Sequence, residues 1–453
     1  MAARKDLVTC DIDDTPIAPI HRRIRTIVSN LGDSDTTGSP DPKNARFFLL
    51  GNPDHVTNRS QCDRTSDLNP KQLRLVNALI EIWCTAPADT VSVRLVVQKA
   101  AAAPSSIHYH FGSLERLYLA ATRAALDDAQ AWMEAQLAQL DPLAGQPLPA
   151  AVQASLLASA IAEWTIGQRH LAMAWRYAPD AAWQAALDSF WSRFAAKLGL
   201  GEHADALACF ATGEAARHLL VWHPPLDRAL LEETVASLIL WLRAQRLGDD
   251  SVRLAYRALA RRSYDRPALQ IRRTDRAIVE AAAGLLAEQG HAGVTFRAVA
   301  KQAGVTLGKV IQIFGTKSAL LQTALHQLYE REAMGGNPGQ LLTRKFTPEA
   351  MVDRLLKAIV GGRQPVLVAY DEIERAIYNG SNYAPLRGLV RAMDDPSGAW
   401  ALEQMLGGMP PPESLVAAFS AIIRGIGYRA VQGGLDEDAL QSGARMAVRP
   451  FVA

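Results

Sequence analysis

The chain has 453 residues, of which 49% are apolar and 21% charged, and its formal net charge is +2. This composition is typical of folded globular proteins, and the length exceeds one ordinary domain. The apolar runs are too short to span a membrane, and the small net charge does not by itself indicate a nucleic-acid partner. The N-terminus lacks the apolar core of a secretory signal, so we expect a cytoplasmic location and no membrane contact.

The cysteines argue against a fold stabilised by disulfides or by a bound metal. The four cysteines are scattered without the paired spacing of metal ligands: Cys10, Cys62, Cys84 and Cys209. Zinc sites and disulfide frameworks both need such spacing. We therefore expect no metal, no cofactor and no disulfide.

Residues 1–68 have no sustained apolar period and are rich in Asp, Thr, Ser, Asn, Pro and Arg. Such a segment cannot bury enough apolar surface to fold, which predicts a disordered N-terminal tail. Its composition fits equally a native tail and a stretch upstream of the true translation start.

One stretch of the chain occurs twice. Residues 74–121 and 277–324 align without a gap at an offset of 203, the distance from Phe111 to Phe314. The identical pairs include Ala78/Ala281, Val91/Val294, Arg94/Arg297, Val96/Val299, Ala100/Ala303, Phe111/Phe314, Gly112/Gly315 and Leu117/Leu320. An internal repeat of this kind indicates one structural unit that is used twice.

In the second copy the apolar spacing predicts four short helices. Apolar residues recur every three or four positions before Gly290, which predicts one buried helix face. These residues are Ile278, Ala281, Ala282, Leu285 and Leu286. Thr295 is placed to cap a second helix ending at Gly304, and Thr306 to cap a third running to Phe314. Glycine at 304 suits the left-handed conformation of a tight turn.

Two short helices joined by a tight turn, the second with an exposed polar face, are helix-turn-helix geometry, and the second helix enters the DNA major groove. Here the sequence resembles the TetR family of transcriptional regulators. The resemblance is carried by Arg272, Arg273, the turn at 303–306, Gly308, the run at 314–317, Leu320 and Leu321. It implies an all-α chain of two tandem TetR-like units, each an N-terminal helix-turn-helix three-helix bundle followed by a helical ligand-binding and dimerisation body.

The first copy matches another part of the family's pattern, the run at 104–113, and departs from the pattern at three positions. Ala101 replaces the turn glycine, Ala103 replaces the Ser or Thr cap, and Leu114 stands where Lys317 stands in the second copy. A lost cap costs about 1 kcal/mol, and a lost lysine removes a phosphate contact. Pro104 compensates in part, because proline suits the first helical position. We expect the first unit to bind DNA more weakly.

Matching positions on the two recognition helices supplies candidate DNA contacts. On the second helix, where Lys can read guanine and Gln adenine, they are Thr306, Lys309 and Gln312. Arg273 and Lys317 are better placed for phosphate, and Arg272 of the same Arg-led arm is a further candidate DNA contact. On the first helix the equivalent face carries Ser105, Ser106, Tyr109 and His110. The residues expected in the core are Ile107, Phe111, Val310, Ile313 and Phe314. Ile311 and Ile313 stand where the family often has aromatic residues, so the face that meets DNA is not fixed.

Residues 122–247 contain seven of the nine tryptophans. The resemblance makes this region the first ligand-binding and dimerisation body, and an aromatic-lined cavity suits a small apolar or aromatic effector. The candidate ligand contacts are Trp132, Trp164, Trp175 and His170. The alternative is that these tryptophans fill the core and pack a dimer, and that the histidine is a satisfied core residue.

The predicted domains are the tail 1–68, the first helix-turn-helix domain 69–121, the first body 122–247, an Arg-rich linker 248–271, the second helix-turn-helix domain 272–332 and the second body 333–453. The ends of the two bodies also align, at an offset of 209, through Phe210/Phe419, Leu226/Leu435 and Asp227/Asp436. Residues 243–276 contain ten Arg against four acidic residues. The linker then either meets DNA phosphate or is a solvated charged segment.

These features favour a ligand-responsive DNA-binding transcriptional regulator, a repressor, that acts as a single-chain pseudo-dimer on a double-stranded DNA operator. Two such chains can also pair into a homodimer. The alternative is a ligand sensor or antirepressor in which one or both helix-turn-helix units no longer bind DNA. An enzyme is not indicated, because the His108–His110 pair lacks further metal ligands nearby and no nucleophile motif or phosphate loop is present.

Overall fold

The structure is a computed structural model that describes residues 68–85, 91–143, 145–177, 181–263, 275–333, 345–360, 396–432 and 437–452, and the single positions Glu374, Ile377 and Arg391. All regular elements within these ranges are helical, which confirms the all-α prediction for them. The predicted tail up to Asp67, and the candidate phosphate contacts Arg272 and Arg273, lie outside the described residues. Within the described ranges, helices that combine the length and apolarity needed to cross a bilayer are absent.

The helices are numbered in chain order. Those of residues 68–143 are α1 (Pro70–Trp83), α2 (Val93–Lys99), α3 (Ser105–Phe111) and α4 (Leu114–Gln139). The first body continues with α5 (Ala150–Ala162), a π-helical turn (Glu163–Gly167), α6 (Arg169–Tyr177), α7 (Ala181–Lys197), α8 (Ala204–His218) and α9 (Pro224–Leu242). Helix α10 (Ser251–Ser263) follows. Then come α11 (Arg276–Gly293), α12 (Phe296–Ala303), α13 (Leu307–Phe314) and α14 (Lys317–Ala333). The second body contains α15 (Pro348–Val360), α16 (Pro396–Met405), α17 (Glu413–Gln432) and α18 (Glu437–Val448).

Side-chain caps start the short helices. The Thr295 hydroxyl accepts the amide of Ala298 at 3.1 Å, and Gly304 ends α12 in the left-handed conformation. The Thr306 hydroxyl accepts the amide of Lys309 at 3.3 Å at the start of α13. These three positions confirm the caps and the turn predicted from the sequence. Asn69 forms a capping box with Gln72, whose side chain accepts the Asn69 amide at 3.0 Å.

The predicted domain boundary at residue 121 falls inside one continuous helix. Helix α4 runs from Leu114 to Gln139, so it belongs to the helix-turn-helix domain at one end and to the first body at the other. Helix α14 ends at Ala333, one residue beyond the predicted second helix-turn-helix domain, and its buried apolar residues belong to the core of that domain. A continuous helix therefore joins the first helix-turn-helix domain to the body that follows it.

Part of the Arg-rich linker is the helix α10, in which Arg253 and Arg257 have protein partners, whereas Arg261 and Arg262 are exposed and still fit both predictions for the linker. The Arg253 side chain is buried and donates to the Thr234 hydroxyl at 2.6 Å. The Tyr256 hydroxyl donates to the Asp227 carboxylate, and Arg257 pairs with Glu413 at 2.6 Å. These arginines hold α10 against the two bodies, because a buried guanidinium needs such partners.

Helices α8 and α9 pack against α17 and α18 of the same chain. The central crossing is between α8 and α17, and it brings their backbones together at two glycines. A Cβ on Gly213 would overlap the carbonyl oxygen of Ala421, and a Cβ on Gly425 would overlap that of Cys209. Around this crossing, the Trp241 indole donates to the carbonyl of Pro450 at 2.9 Å, in a four-helix packing.

The buried apolar residues form two cores. The larger one runs through α1–α9 and the second body. The smaller one belongs to α11–α14 and includes two residues from outside that segment, Leu220 and Ile377. Leu220 lies between α8 and α9, so the first body contributes a side chain to the core of the second helix-turn-helix domain.

The glycine crossing predicts the effect of a single methyl group. We expect Gly425→Ala to destabilise the chain by about 3 kcal/mol or more, since overpacking against backbone forces the helices apart. The same change at Gly443 of α18 is the matched control, because no described atom lies within 4 Å of its added Cβ. There alanine stabilises a helix by up to about 1 kcal/mol. Urea unfolding of the two variants measures both effects, and equal midpoints would contradict the close crossing.

Candidate nucleic-acid interface

The second recognition helix, α13, buries one face and exposes the other. Val310 and Phe314 are buried, as predicted, whereas Ile313 is only half-buried. Those predicted contacts of this unit that the structure describes are exposed: Thr306, Lys309, Gln312 and Lys317. The Thr306 hydroxyl accepts a hydrogen bond from the amide of Lys309, so this side chain has a structural role at the start of α13.

Lys309 is held by an acidic residue that the sequence reading missed. Its ammonium lies 2.8 Å from the Asp275 carboxylate, at the start of α11. Asp275 is buried, with 7% of its surface exposed. The ion pair joins the recognition helix to the first helix of its domain. It also neutralises the Asp275 carboxylate, which would otherwise repel a DNA phosphate at this surface. Because Asp275 and Lys309 are 34 positions apart, no local sequence pattern predicts their ion pair.

The exposed face of α13 also carries two large aliphatic side chains. Ile311 is 45% exposed and Leu307 is 39% exposed. They lie four positions apart and therefore on the same side of the helix. This arrangement fixes the face that the sequence had left undecided: Ile311 points outward and Ile313 toward the core.

The surroundings of α13 are basic. Residues 289–329 contain four Lys or Arg and no Asp or Glu. All four are exposed, and they are Arg297, Lys301, Lys309 and Lys317. Lys309 is paired with Asp275, so the net positive charge of this surface comes from Arg297, Lys301 and Lys317. A basic surface beside a helix-turn-helix is the electrostatic footprint of a phosphate-backbone contact.

The first recognition helix, α3, exposes different chemistry. Tyr109 is 84% exposed, and its ring meets that of His110 edge-on with centroids 4.9 Å apart. Ser105 is exposed and Ser106 is half-buried. Ile107 and Phe111 are buried, as predicted. The face is polar and aromatic.

The turn before α3 is strained where the sequence lost its glycine. Ala101 has φ of 48°, in the left-handed region, which costs a non-glycine residue roughly 1–2 kcal/mol. Pro104 serves as the N-cap without a side-chain hydrogen bond, one position earlier than expected. Leu114 is half-buried and packs on the core, so it replaces the lysine of the second unit with an apolar contact.

The predicted ligand-binding tryptophans are packing residues in the structure. Trp164 and Trp175 are fully buried, and Trp132 lies against Trp164 with ring centroids 5.3 Å apart. His170 is half-buried, and burial lowers its pKa although the nearby Asp128 carboxylate opposes that shift. None of these four residues lines the cavity described next. This placement favours core filling, the alternative given for them.

A cavity of about 840 Å³ lies elsewhere in the first body, between α4, α5, α8 and α9. Its apolar lining includes Leu140, Leu156, Ile166 and Phe194. One wall is the π-helical turn at Glu163–Gly167, a geometry that is frequent at functional sites. The volume suits a drug-sized ligand.

The polar end of this cavity is built by the junction of α8 and α9. Burial lowers the pKa of His218 to about 4, with Glu214 opposing the shift, so this imidazole is neutral near pH 7. The Asp227 carboxylate accepts the amides of Trp222 and His223, both at 2.8 Å. Arg228 donates to the Ser159 hydroxyl at 3.1 Å. A single histidine such as His218 carries no spacing signal that would mark it in the sequence.

The exposed recognition helix, its glycine turn and the basic patch define the class: a helix-turn-helix DNA-binding transcriptional regulator. Residues 278–324 match the model of a family described as "Bacterial regulatory proteins, tetR family", which supports a regulator of that family. The match covers α11 to the middle of α14. No curated protein matches the chain.

Proposed function

We propose that the chain is a ligand-responsive DNA-binding regulator in which two TetR-like units are fused into a single-chain pseudo-dimer. The observation that carries this proposal is the α8–α17 crossing, which joins the two bodies within one chain. Helices α1–α4 and α11–α14 follow the same order, and the two short helices of each unit are similar in length, with seven residues each in α2 and α3 and eight each in α12 and α13. The bundle α8, α9, α17 and α18 is then the counterpart of a dimer interface, as the resemblance implies.

The symmetry of the crossing supports the two-fold relation. Gly213 and Gly425 are 212 positions apart, and so are Cys209 and Ala421. Exchanging α8 and α17 at this offset therefore turns the contact from Gly213 to Ala421 into the contact from Gly425 to Cys209. An isologous interface has this property, because each side contributes the same patch. The register differs by three residues from the offset of 209 that the sequence alignment suggested.

DNA binding is carried mainly by the second unit. It keeps the turn glycine Gly304, the Thr306 cap and Lys317, whereas the first unit has a strained turn at Ala101. A single chain would present both recognition helices to two half-sites about one helical turn apart. Because the exposed side chains differ, the operator need not be a palindrome.

The cavity of the first body is the proposed effector site. It combines an apolar lining with a neutral imidazole and fixed carboxylate and guanidinium groups, so it suits a small, mainly apolar effector with one polar end. The wall formed by His218 and Val221 is continuous with Leu220, which packs in the core of the second helix-turn-helix domain. Arg391 fastens the same junction by donating to the carbonyl oxygens of Arg217 and Leu220. An effector that displaces this junction would change the position of the second recognition domain.

The second candidate function is a ligand sensor or antirepressor whose first unit no longer binds DNA. Lys99, the only lysine among α2 and α3, pairs with Glu81 at 2.9 Å, and the turn at Ala101 is strained. Both observations favour weak DNA binding by the first unit. In this second candidate function the cavity still binds a ligand, but the chain does not bind an operator made of two half-sites.

Removal of a phosphate contact tests the proposed DNA binding. With an operator selected from random DNA, we expect Lys317→Ala to lower affinity for all sequences and to reduce the slope of log affinity against log salt by about 1. Lys357→Ala is the matched control, since this exposed lysine lies on α15, in the second body. Gel-shift titrations at several salt concentrations measure both slopes. Salt-independent binding, or equal slopes for the two variants, would count against the proposal.

Filling the cavity tests the proposed effector site. The probe is 1-anilinonaphthalene-8-sulfonate, whose fluorescence rises on binding in apolar cavities. We expect the probe to bind the wild-type chain and to weaken its operator binding, and Leu156→Trp to lose both effects while still binding DNA. Val152→Trp, on an exposed position of the same helix, is the control. By linkage, saturating operator must weaken probe binding by the same factor. Unchanged probe binding in the filled variant would show that the cavity is not the site.

A further inference from the structure

We propose that Leu307 and Ile311 read the 5-methyl groups of thymines in the major groove, and that they set the sequence of one half-site. This inference rests on the proposed DNA binding by the second unit. It assigns specificity to two side chains outside the polar set Thr306, Lys309 and Gln312.

Their geometry on α13 places both residues on the outward face. Leu307 and Ile311 are separated by four positions, one turn of helix, and about two-fifths of each residue's surface is exposed. Val310 and Phe314 hold the opposite face in the core of the domain. The two aliphatic side chains therefore project as a pair from the helix that would enter the groove.

The surrounding charge identifies the occupant. The apolar pair lies within a 41-residue stretch, 289–329, that carries four exposed basic side chains and no acidic one. Lys309 is paired with Asp275 from outside this stretch, so Arg297, Lys301 and Lys317 supply its net positive charge. A protein that docked on this face would need an apolar contact surface with acidic side chains beside it. The major groove has that pattern, because phosphates line its rim and the thymine methyl is the apolar group on its floor.

Two further observations shift base reading to the apolar pair. The Lys309 ammonium is engaged by the buried Asp275 carboxylate, and the Thr306 hydroxyl caps α13. Of the three predicted base-reading side chains, Gln312 takes part in neither the ion pair nor the helix cap, and it is next to Ile311 in the sequence. Gln is suited to adenine, so thymine and adenine contacts would adjoin in an A·T-rich half-site.

The first recognition helix has no equivalent pair. At the repeat offset of 203, Leu307 aligns with Pro104 and Ile311 with His108. The aliphatic residue of α3, Ile107, is buried. The half-site bound by the first unit should therefore be indifferent to the thymine methyl, and the operator should be asymmetric in this respect.

Replacing thymine by deoxyuridine tests the inference, because it removes the methyl and keeps all base hydrogen bonds. Starting from an operator selected with the full chain, each half-site is substituted separately. We expect one half-site to lose affinity by about fourfold per contacted methyl, which corresponds to about 0.8 kcal/mol, and the other to be unaffected. Ile311→Ala and Leu307→Ala should each weaken binding to the thymine operator but reduce its sensitivity to deoxyuridine.

The controls separate this inference from the proposed function. Met446→Ala removes a similarly exposed apolar side chain on α18 and should retain the full deoxyuridine effect. Salt-sensitive binding with no methyl effect in either half-site would overturn the inference and leave DNA binding intact. So would a methyl effect that persists in both variants. Absence of salt-sensitive DNA binding would instead remove the proposed function. Sedimentation of the unbound chain adds one outcome: self-association that Ile311→Ala abolishes would assign the pair to a protein contact and overturn the inference.

Discussion

The arrangement of the chain depends on one close helix crossing. At Gly213 and Gly425 the backbones of α8 and α17 approach so closely that a methyl group on either would overlap a carbonyl oxygen of the other helix. Only glycine permits this approach. The crossing joins the two bodies. Helix α4 connects the first body to the first recognition domain, and Leu220 of the first body packs in the core of the second recognition domain. The distance between the recognition helices is therefore set within the chain, which is the physical basis of the proposed pseudo-dimer.

In the proposed pseudo-dimer, fusion would also remove the requirement that the two units stay alike. In a symmetric homodimer a change in one recognition helix appears twice, whereas in a fused chain each helix could change alone. The first unit carries a strained Ala101 and an exposed Tyr109, and the second carries Gly304 and the aliphatic pair of α13. The cavity lies in the first body, while the junction beside it supplies Leu220 to the second recognition domain. Effector binding and the stronger DNA contact would thus reside in different units.

Local features of the fold were predictable from the sequence, and long-range ones were not. Thr295, Gly304 and Thr306 act on neighbouring amides or on their own backbone, so their roles could be read from spacing. The Asp275–Lys309 ion pair and the glycine crossing join residues far apart in the chain, for which a single sequence has no signal. The tryptophan cluster could not be assigned from the sequence for a related reason: large aromatic side chains fill cores as readily as they line cavities. The structure buries Trp164 and Trp175 and places neither in the lining of the cavity described above. The cavity walls are ordinary leucines and a π-helical turn, which composition does not mark.

The number of chains on one operator tests the pseudo-dimer most directly. The mass of the protein–operator complex can be measured by light scattering during size-exclusion chromatography, with protein in excess over a selected operator. We expect one chain per operator, with both half-sites protected from cleavage in that complex. Two chains on every operator, with protection of both half-sites only after the second chain binds, would contradict the central claim.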